Sequence, residues 1–145
     1  MPAKKEQPTT RDRILTAAEN LFATQGYQAT TVKQVAEQVG VQPPALYKHF
    51  SSKRALFEEV LEQLFTPFAG LLEDGVESAD NQRAIIEQHL QNPNASRIVQ
   101  HATLSGSEDL ALLVERWYQP FFSHARKAVS GKKPAATPVS VMAFH

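Results

Sequence analysis

The residues best suited to chemistry fall in one short run, Gln42-Pro43-Pro44-Ala45-Leu46-Tyr47-Lys48-His49. A Gln amide can bond adenine N6 and N7 in bidentate fashion, a Lys ammonium can reach guanine, and Ala or Pro can pack on a thymine methyl. Gln42, Pro43, Pro44, Ala45 and Lys48 are therefore candidates for contact with base edges. Thr31, Tyr47, His49, Lys53 and Arg54 are candidates for phosphate oxygens, which set register on a duplex without carrying sequence information directly. Lys53 and Arg54 stand near an expected helix start, where the macrodipole disfavours cations. That placement points to a further role, and phosphate binding supplies one.

Charge agrees with this location. The 145-residue chain is neutral, with 15 Lys and Arg against 15 Asp and Glu. Overall neutrality does not favour nucleic-acid binding, which draws much of its affinity from phosphate neutralisation. From Lys33 to Arg54, however, four cations face Glu37 alone, so the positive excess is concentrated around the run above.

Those residues need helices to hold them. Thr9 with Asp12 resembles a capping box, with Asp replacing the usual Glu or Gln. Ile14, Ala17, Ala18, Leu21 and Phe22 follow at helical spacing, and Gly26 is expected to end that helix. Thr31 and Gln34 form a second capping box, followed by the buried stripe Val32, Val35, Ala36 and Val39, with Gly40 as the stop. Pro43 and Pro44 suit the first turn of a third helix, where backbone N–H groups lack helical partners anyway. Ser52 is expected to cap a fourth helix carrying Leu56, Phe57, Val60, Leu61 and Leu64, broken or kinked at Thr66-Pro67. Ala36 is small enough for a close helix crossing, Gly40 can take the positive φ of a tight turn, and Leu46 can plug the third helix into the core. Together they read as a helix-turn-helix, whose second helix enters the major groove.

The run Gly26-Tyr27-Gln28-Ala29-Thr30-Thr31-Val32, then Val35-Ala36-Glu37-Gln38-Val39-Gly40-Val41, then Leu46-Tyr47-Lys48-His49-Phe50-Ser51-Ser52-Lys53-Arg54-Ala55-Leu56 resembles the TetR family of bacterial transcriptional regulators. The resemblance covers about residues 10–65. It implies an all-α protein: a three-helix DNA-binding domain, then a helical ligand-binding and dimerisation domain. It further implies a homodimer on a palindromic operator, acting as a repressor released by a small effector. By the same resemblance Thr31, Tyr47, His49 and Lys53 hold phosphates, while Pro43, Pro44, Ala45 and Lys48 face the groove. Two features depart from the family pattern. Gln42 stands where Ser or Thr is common, which weakens the cap, and the chain is shorter, so the second domain is expected to be truncated.

The expected organisation is a flexible arm over 1–8, the helix-turn-helix domain over 9–52, a helical regulatory domain over 53–130 and a disordered tail over 131–145. Within the regulatory part, Asp80 is expected to cap a helix through Leu90, and Asn94 another through about Leu104. Ser105 with Glu108 is expected to cap a long helix to about Val129, kinked at Pro120. Phe65, Phe68, His101, Trp117, Tyr118 and Phe121 are candidates to line a pocket for a small apolar effector, although ordinary core packing explains each aromatic as well. His89, His101 and His124 lie on separate expected helices with no spacing that suits a metal. No cofactor is expected. No nucleophile-and-base arrangement, phosphate-binding glycine loop or paired-carboxylate site stands out, so an enzyme is not expected. The absence of cysteine excludes a disulfide framework. No apolar run reaches the roughly 18 residues of a membrane span and no secretory signal is visible, so a cytoplasmic location is expected. Two other classes of function fit the same elements: a helical interaction module acting through a full-length partner, and a small-molecule-binding protein without DNA binding.

Overall fold

The computed structural model describes residues 6–73, 78–106, 108–119 and 123. Every regular element among them is helical: α1 Thr10–Ala29, α2 Val32–Val39, α3 Pro43–Tyr47, α4 Lys53–Glu73, α5 Ala79–Gln91, α6 Asn94–Ser105 and α7 Glu108–Leu113, the last running into a π-helical turn over Val114–Tyr118. The all-α architecture with an N-terminal helix-turn-helix matches the reading from sequence.

Both expected capping boxes form. The Thr9 hydroxyl accepts from the Asp12 N–H at 3.2 Å while Asp12 accepts from the Thr9 N–H at 3.1 Å. Thr31 and Gln34 make the same reciprocal pair at 3.1 and 3.0 Å. Each box satisfies two N–H groups that the first turn leaves without a helical partner. Thr9→Ala is accordingly expected to cost about 1 kcal/mol of stability, read as a lower urea midpoint with an unchanged slope. At the far ends, Gly40 takes φ 78°, ψ 30° and closes α2, and Ser52 Oγ accepts from the Ala55 N–H at 3.0 Å to start α4. Gly26 breaks the geometry of α1 with φ 84°, ψ 167°, and a last turn continues to Ala29.

The core joins the first four helices to the later ones. Ile14, Leu15, Ala18 and Phe22 of α1 bury against Val35, Ala36 and Val39 of α2, Leu46 of α3 and Leu56, Phe57, Val60 and Leu61 of α4. Ala95, Ile98 and Ala102 of α6 and Leu113 of α7 belong to the same cluster. Helix α1 makes its most extensive contact with α6. Phe22, Tyr27 and Phe57 meet at its centre, the Phe22 and Phe57 rings edge-on at 5.0 Å.

Four expectations for the later helices are corrected. Pro67 neither ends nor breaks α4, which runs on to Glu73. Proline removes one backbone donor, but Pro67 and Gln63, whose carbonyl loses its partner, are both exposed, so water can take that carbonyl. The inward residues Leu64, Phe65 and Phe68 meanwhile hold the helix by packing. Ser78, not Asp80, caps α5, accepting from the Asn81 N–H. Asn94 is the first residue of α6 rather than its cap: Asn92 Oδ1 accepts its N–H at 3.2 Å, and its side chain turns to α1. The long helix after Ser105 changes to π geometry at Val114, where the Gln119 N–H reaches the Val114 carbonyl. The expected kink at Pro120, the stretch to Val129 and the tail over 131–145 lie outside the described residues.

Candidate nucleic-acid interface

Helix α3 is five residues long, short of the length at which a helix persists by itself. It stands because Leu46 is fully buried beneath it and Phe50 follows on the same side. Burying that side turns the opposite side outward. Gln42, Pro44, Tyr47, Lys48 and His49 are exposed, and Pro43 and Ala45 are half-buried. Gln42 makes no side-chain cap, so its amide remains available. The sequence-derived base-contact candidates therefore share one surface.

The frame behind this surface is pinned by polar contacts that periodicity does not reveal. Arg13 of α1 donates to the Val39 carbonyl at 2.7 Å, satisfying the carboxyl end of α2. Arg11 pairs with Glu59 of α4, its guanidinium 4.9 Å from the Phe50 ring centroid. Gln25 Nε2 donates to Gln34 Oε1 at 2.8 Å, tying α1 to the capping box of α2. On the side facing α6, Asn94 Nδ2 donates to Glu19 Oε1 at 2.8 Å and to Asn20 Oδ1 at 3.2 Å. The excess of polar residues on α1 is the only sign of these contacts in the sequence, and their partners are 9 to 75 positions away.

The five phosphate candidates separate into two groups. Thr31, Tyr47 and His49 are exposed, with Tyr47 showing half its surface. The Thr31 hydroxyl oxygen caps α2, which leaves its proton free to donate. Lys53 and Arg54 are engaged within the protein. Lys53 Nζ donates to the Tyr27 carbonyl at 2.9 Å and lies 4.1 Å from the Tyr27 ring centroid. Burial holds its pKa below the usual lysine range, with Asp109 opposing the shift. Burial likewise raises the Tyr27 phenol, against the pull of Arg54. Arg54 Nε pairs with Glu58 Oε1 at 3.3 Å, and its guanidinium reaches Glu108 of α7 at 4.0 Å.

Among the expected pocket residues, the Phe65 and Trp117 rings stack 5.4 Å apart at 29°, and Phe68 lies 6.3 Å from Phe65. The Phe68 ring also meets His89 edge-on at 5.3 Å, a neighbour that sequence reasoning did not pair with it. The Trp117 indole N–H is buried without an acceptor among the described residues. His101 packs on Gly26 of α1. The Tyr118 side chain and Phe121 lie outside the description.

A short helix crossing a capped helix over a glycine turn, with its polar face outward and a basic flank, defines a helix-turn-helix protein. Residues 14–60 match the family described as bacterial regulatory proteins, tetR family. The similarity to individual relatives extends further. The chain is 33% identical over 129 residues to the nucleoid occlusion factor SlmA of Alteromonas mediterranea, covering 80% of this chain and 66% of that one. It is 29% identical over 141 residues to SlmA of Photobacterium profundum, covering 90% and 72%. Over 61 residues it is 43% identical to the HTH-type transcriptional repressor KstR2 of Mycolicibacterium smegmatis, covering 41% and 30%. In fold it is similar to Mycobacterium smegmatis AmtR, with a TM-score of 0.64 at 24% identity over 92% of this chain and 70% of that one. The chain belongs to the tetR family of bacterial DNA-binding regulators.

Proposed function

We propose that this protein is a sequence-specific transcriptional repressor that binds a palindromic operator as a homodimer and is released by a small apolar effector. The observation that carries the reading is the outward face of α3, where Gln42, Pro44, Tyr47, Lys48 and His49 are exposed over a buried Leu46. Gln42, Pro43, Pro44, Ala45 and Lys48 would read base edges, and Thr31, Tyr47, His49, Lys53 and Arg54 would supply phosphate contacts. Two copies would set their α3 helices in successive major grooves, about 34–36 Å apart. The stacked Phe65–Trp117 pair and the indole N–H, buried without an acceptor among the described residues, support an apolar effector carrying one hydrogen-bond acceptor. Such an effector releases DNA only if it binds one spacing of the dimer more tightly than the other. The regulatory part would begin at α4. No helix among the described residues is long and apolar enough to cross a membrane, which fits a site of action on the chromosome.

The test is Tyr47→Ala combined with Lys48→Ala, assayed against a duplex enriched from a random-sequence library. Both side chains are exposed, so the double variant should keep its melting temperature and lose about tenfold or more in affinity, most of it specific. Unchanged affinity in a folded double variant would overturn the assignment of α3. Light scattering tests the homodimer: a mass near twice 16.1 kDa is expected, and a monomer throughout a concentration series would favour action through a partner chain.

A second reading, nucleoid occlusion, is favoured by one observation. The match to the SlmA relatives spans 80–90% of this chain and so continues beyond the DNA-binding helices. Mapping bound sites across the host chromosome separates the two readings. Repression predicts sites at regulated promoters, whereas nucleoid occlusion predicts division over the nucleoid when the protein is removed.

A further inference from the structure

We propose that Lys53 is a positioning residue for DNA reading: its ammonium clamps the start of α4 to the end of α1 through the Tyr27 carbonyl and ring. The proposal rests on the DNA-binding reading above and gives Lys53 a duty beyond phosphate contact. Two contacts converge on one ammonium, the 2.9 Å donation to the Tyr27 carbonyl and the 4.1 Å approach to the ring. The carbonyl belongs to the last turn of α1, just after Gly26 departs from helical geometry. The Thr30 N–H already donates to this carbonyl at 3.2 Å, so the ammonium is its second donor, at a helix end that carries partial negative charge. The ring, in turn, is fixed by Phe22 and Phe57 at 5.9 and 4.7 Å. The ammonium thus fixes the first turn of α4 against a rigid aromatic platform.

The consequence for DNA follows from connectivity. Only residues 48–52 lie between α3 and α4, so the angle at which α4 leaves α1 sets how far α3 projects. The junction also touches the later helices. Tyr27, Arg54 and Phe57 line one small cleft with Glu108, Asp109 and Leu112 of α7. Asp109 is 3% exposed, and the Ser105 hydroxyl lies 3.1 Å from its Oδ1. The clamp therefore sits where the reading helices meet the rest of the chain. An ammonium has three donors, so the Tyr27 bond leaves two for a phosphate when DNA is present.

The experiment measures affinity for the enriched duplex across a salt series, together with melting temperature, for four variants. Lys53→Met removes the charge but keeps a long apolar stem. Tyr27→Leu removes the ring, Tyr27→Phe keeps it, and Lys53→Arg keeps a cation able to donate and stack. The clamp predicts that Lys53→Met and Tyr27→Leu each weaken binding about tenfold at every salt concentration. It also predicts that the Lys53→Met, Tyr27→Leu double variant is no weaker than either alone, that Tyr27→Phe binds as the parent does, and that Lys53→Arg recovers most of the affinity that Lys53→Met loses. A role in phosphate contact alone predicts that Lys53→Met lowers the slope of log affinity against log salt by about 0.9 while Tyr27→Leu binds normally. That outcome overturns the proposal. So does a fall in melting temperature with unchanged affinity of the folded variant, which would mark a contact that stabilises without positioning. Lys48→Ala is the control: if it also binds as the parent does, the α3 assignment fails, whereas weak binding by Lys48→Ala with normal binding by Lys53→Met and Tyr27→Leu sinks only the clamp.

Discussion

Gly26→Ala is expected to destabilise the protein by about 3 kcal/mol, from two separable causes. The first is backbone conformation. At φ 84°, ψ 167° the residue occupies a region that is essentially reserved for glycine, and a side chain there costs about 1–3 kcal/mol. The second is space. A Cβ built at Gly26 would lie 3.1 Å from His101 Nδ1 and 3.3 Å from His101 Cβ, so α6 or its imidazole must shift. Urea denaturation should show a lower midpoint for Gly26→Ala. The double variant with His101→Ala should recover only the part due to the clash, which a double-mutant cycle reads as a coupling between the two sites. Equal midpoints for parent and Gly26→Ala would mean that the left-handed turn is not required. Gly40 is a useful contrast. Its φ is 78° but no atom lies within 4 Å of the added Cβ, so Gly40→Ala meets backbone strain alone. It should cost about 1 kcal/mol, near the penalty of a left-handed non-glycine residue.

Leu46→Ala is the second large effect, with an expected loss of about 2–5 kcal/mol. Leu46 has no exposed surface and is the only fully buried residue of α3. Truncation leaves a cavity beneath a helix of little more than one turn, which has few other contacts to hold it. Affinity for DNA should therefore fall together with stability, although Leu46 faces away from the exposed surface. Leu46→Met, which preserves volume, should cost less than about 1.5 kcal/mol and retain binding. Retained affinity in a destabilised Leu46→Ala variant would show that α3 keeps its place without this anchor, and that measurement uses the same duplex as the Tyr47 and Lys48 test.

The starts of the first four helices were legible because their signals are local. A capping box spans four residues, a glycine stop is one residue, and an apolar stripe repeats within two turns, so Thr9, Asp12, Thr31, Gln34, Gly40 and Ser52 all act where the sequence places them. The far end of α4 and the later helices were read less well because competing signals were equally local but settled by distant contacts. Asn94 has the chemistry of an N-cap, yet Glu19 and Asn20 of α1 draw its amide away. Pro67 has the chemistry of a helix breaker, yet its missing donor falls on the solvent side of a helix held by packing. Trp117 and Phe65 could be named as aromatic, but their stacking joins residues 52 positions apart.

By itself the sequence determined the starts of the first four helices, the stop at Gly40 and the outward face of α3. Each depends on backbone preferences and on which side chains avoid water, and both act over a few residues. Only the tertiary structure decided which protein groups Lys53 and Arg54 meet. Their identity as cations is in the sequence, but the protein acceptor each one finds depends on what folding brings within about 3 Å. For Lys53 that group is the Tyr27 carbonyl, 26 positions away, and for Arg54 the more distant of its acidic partners lies on α7.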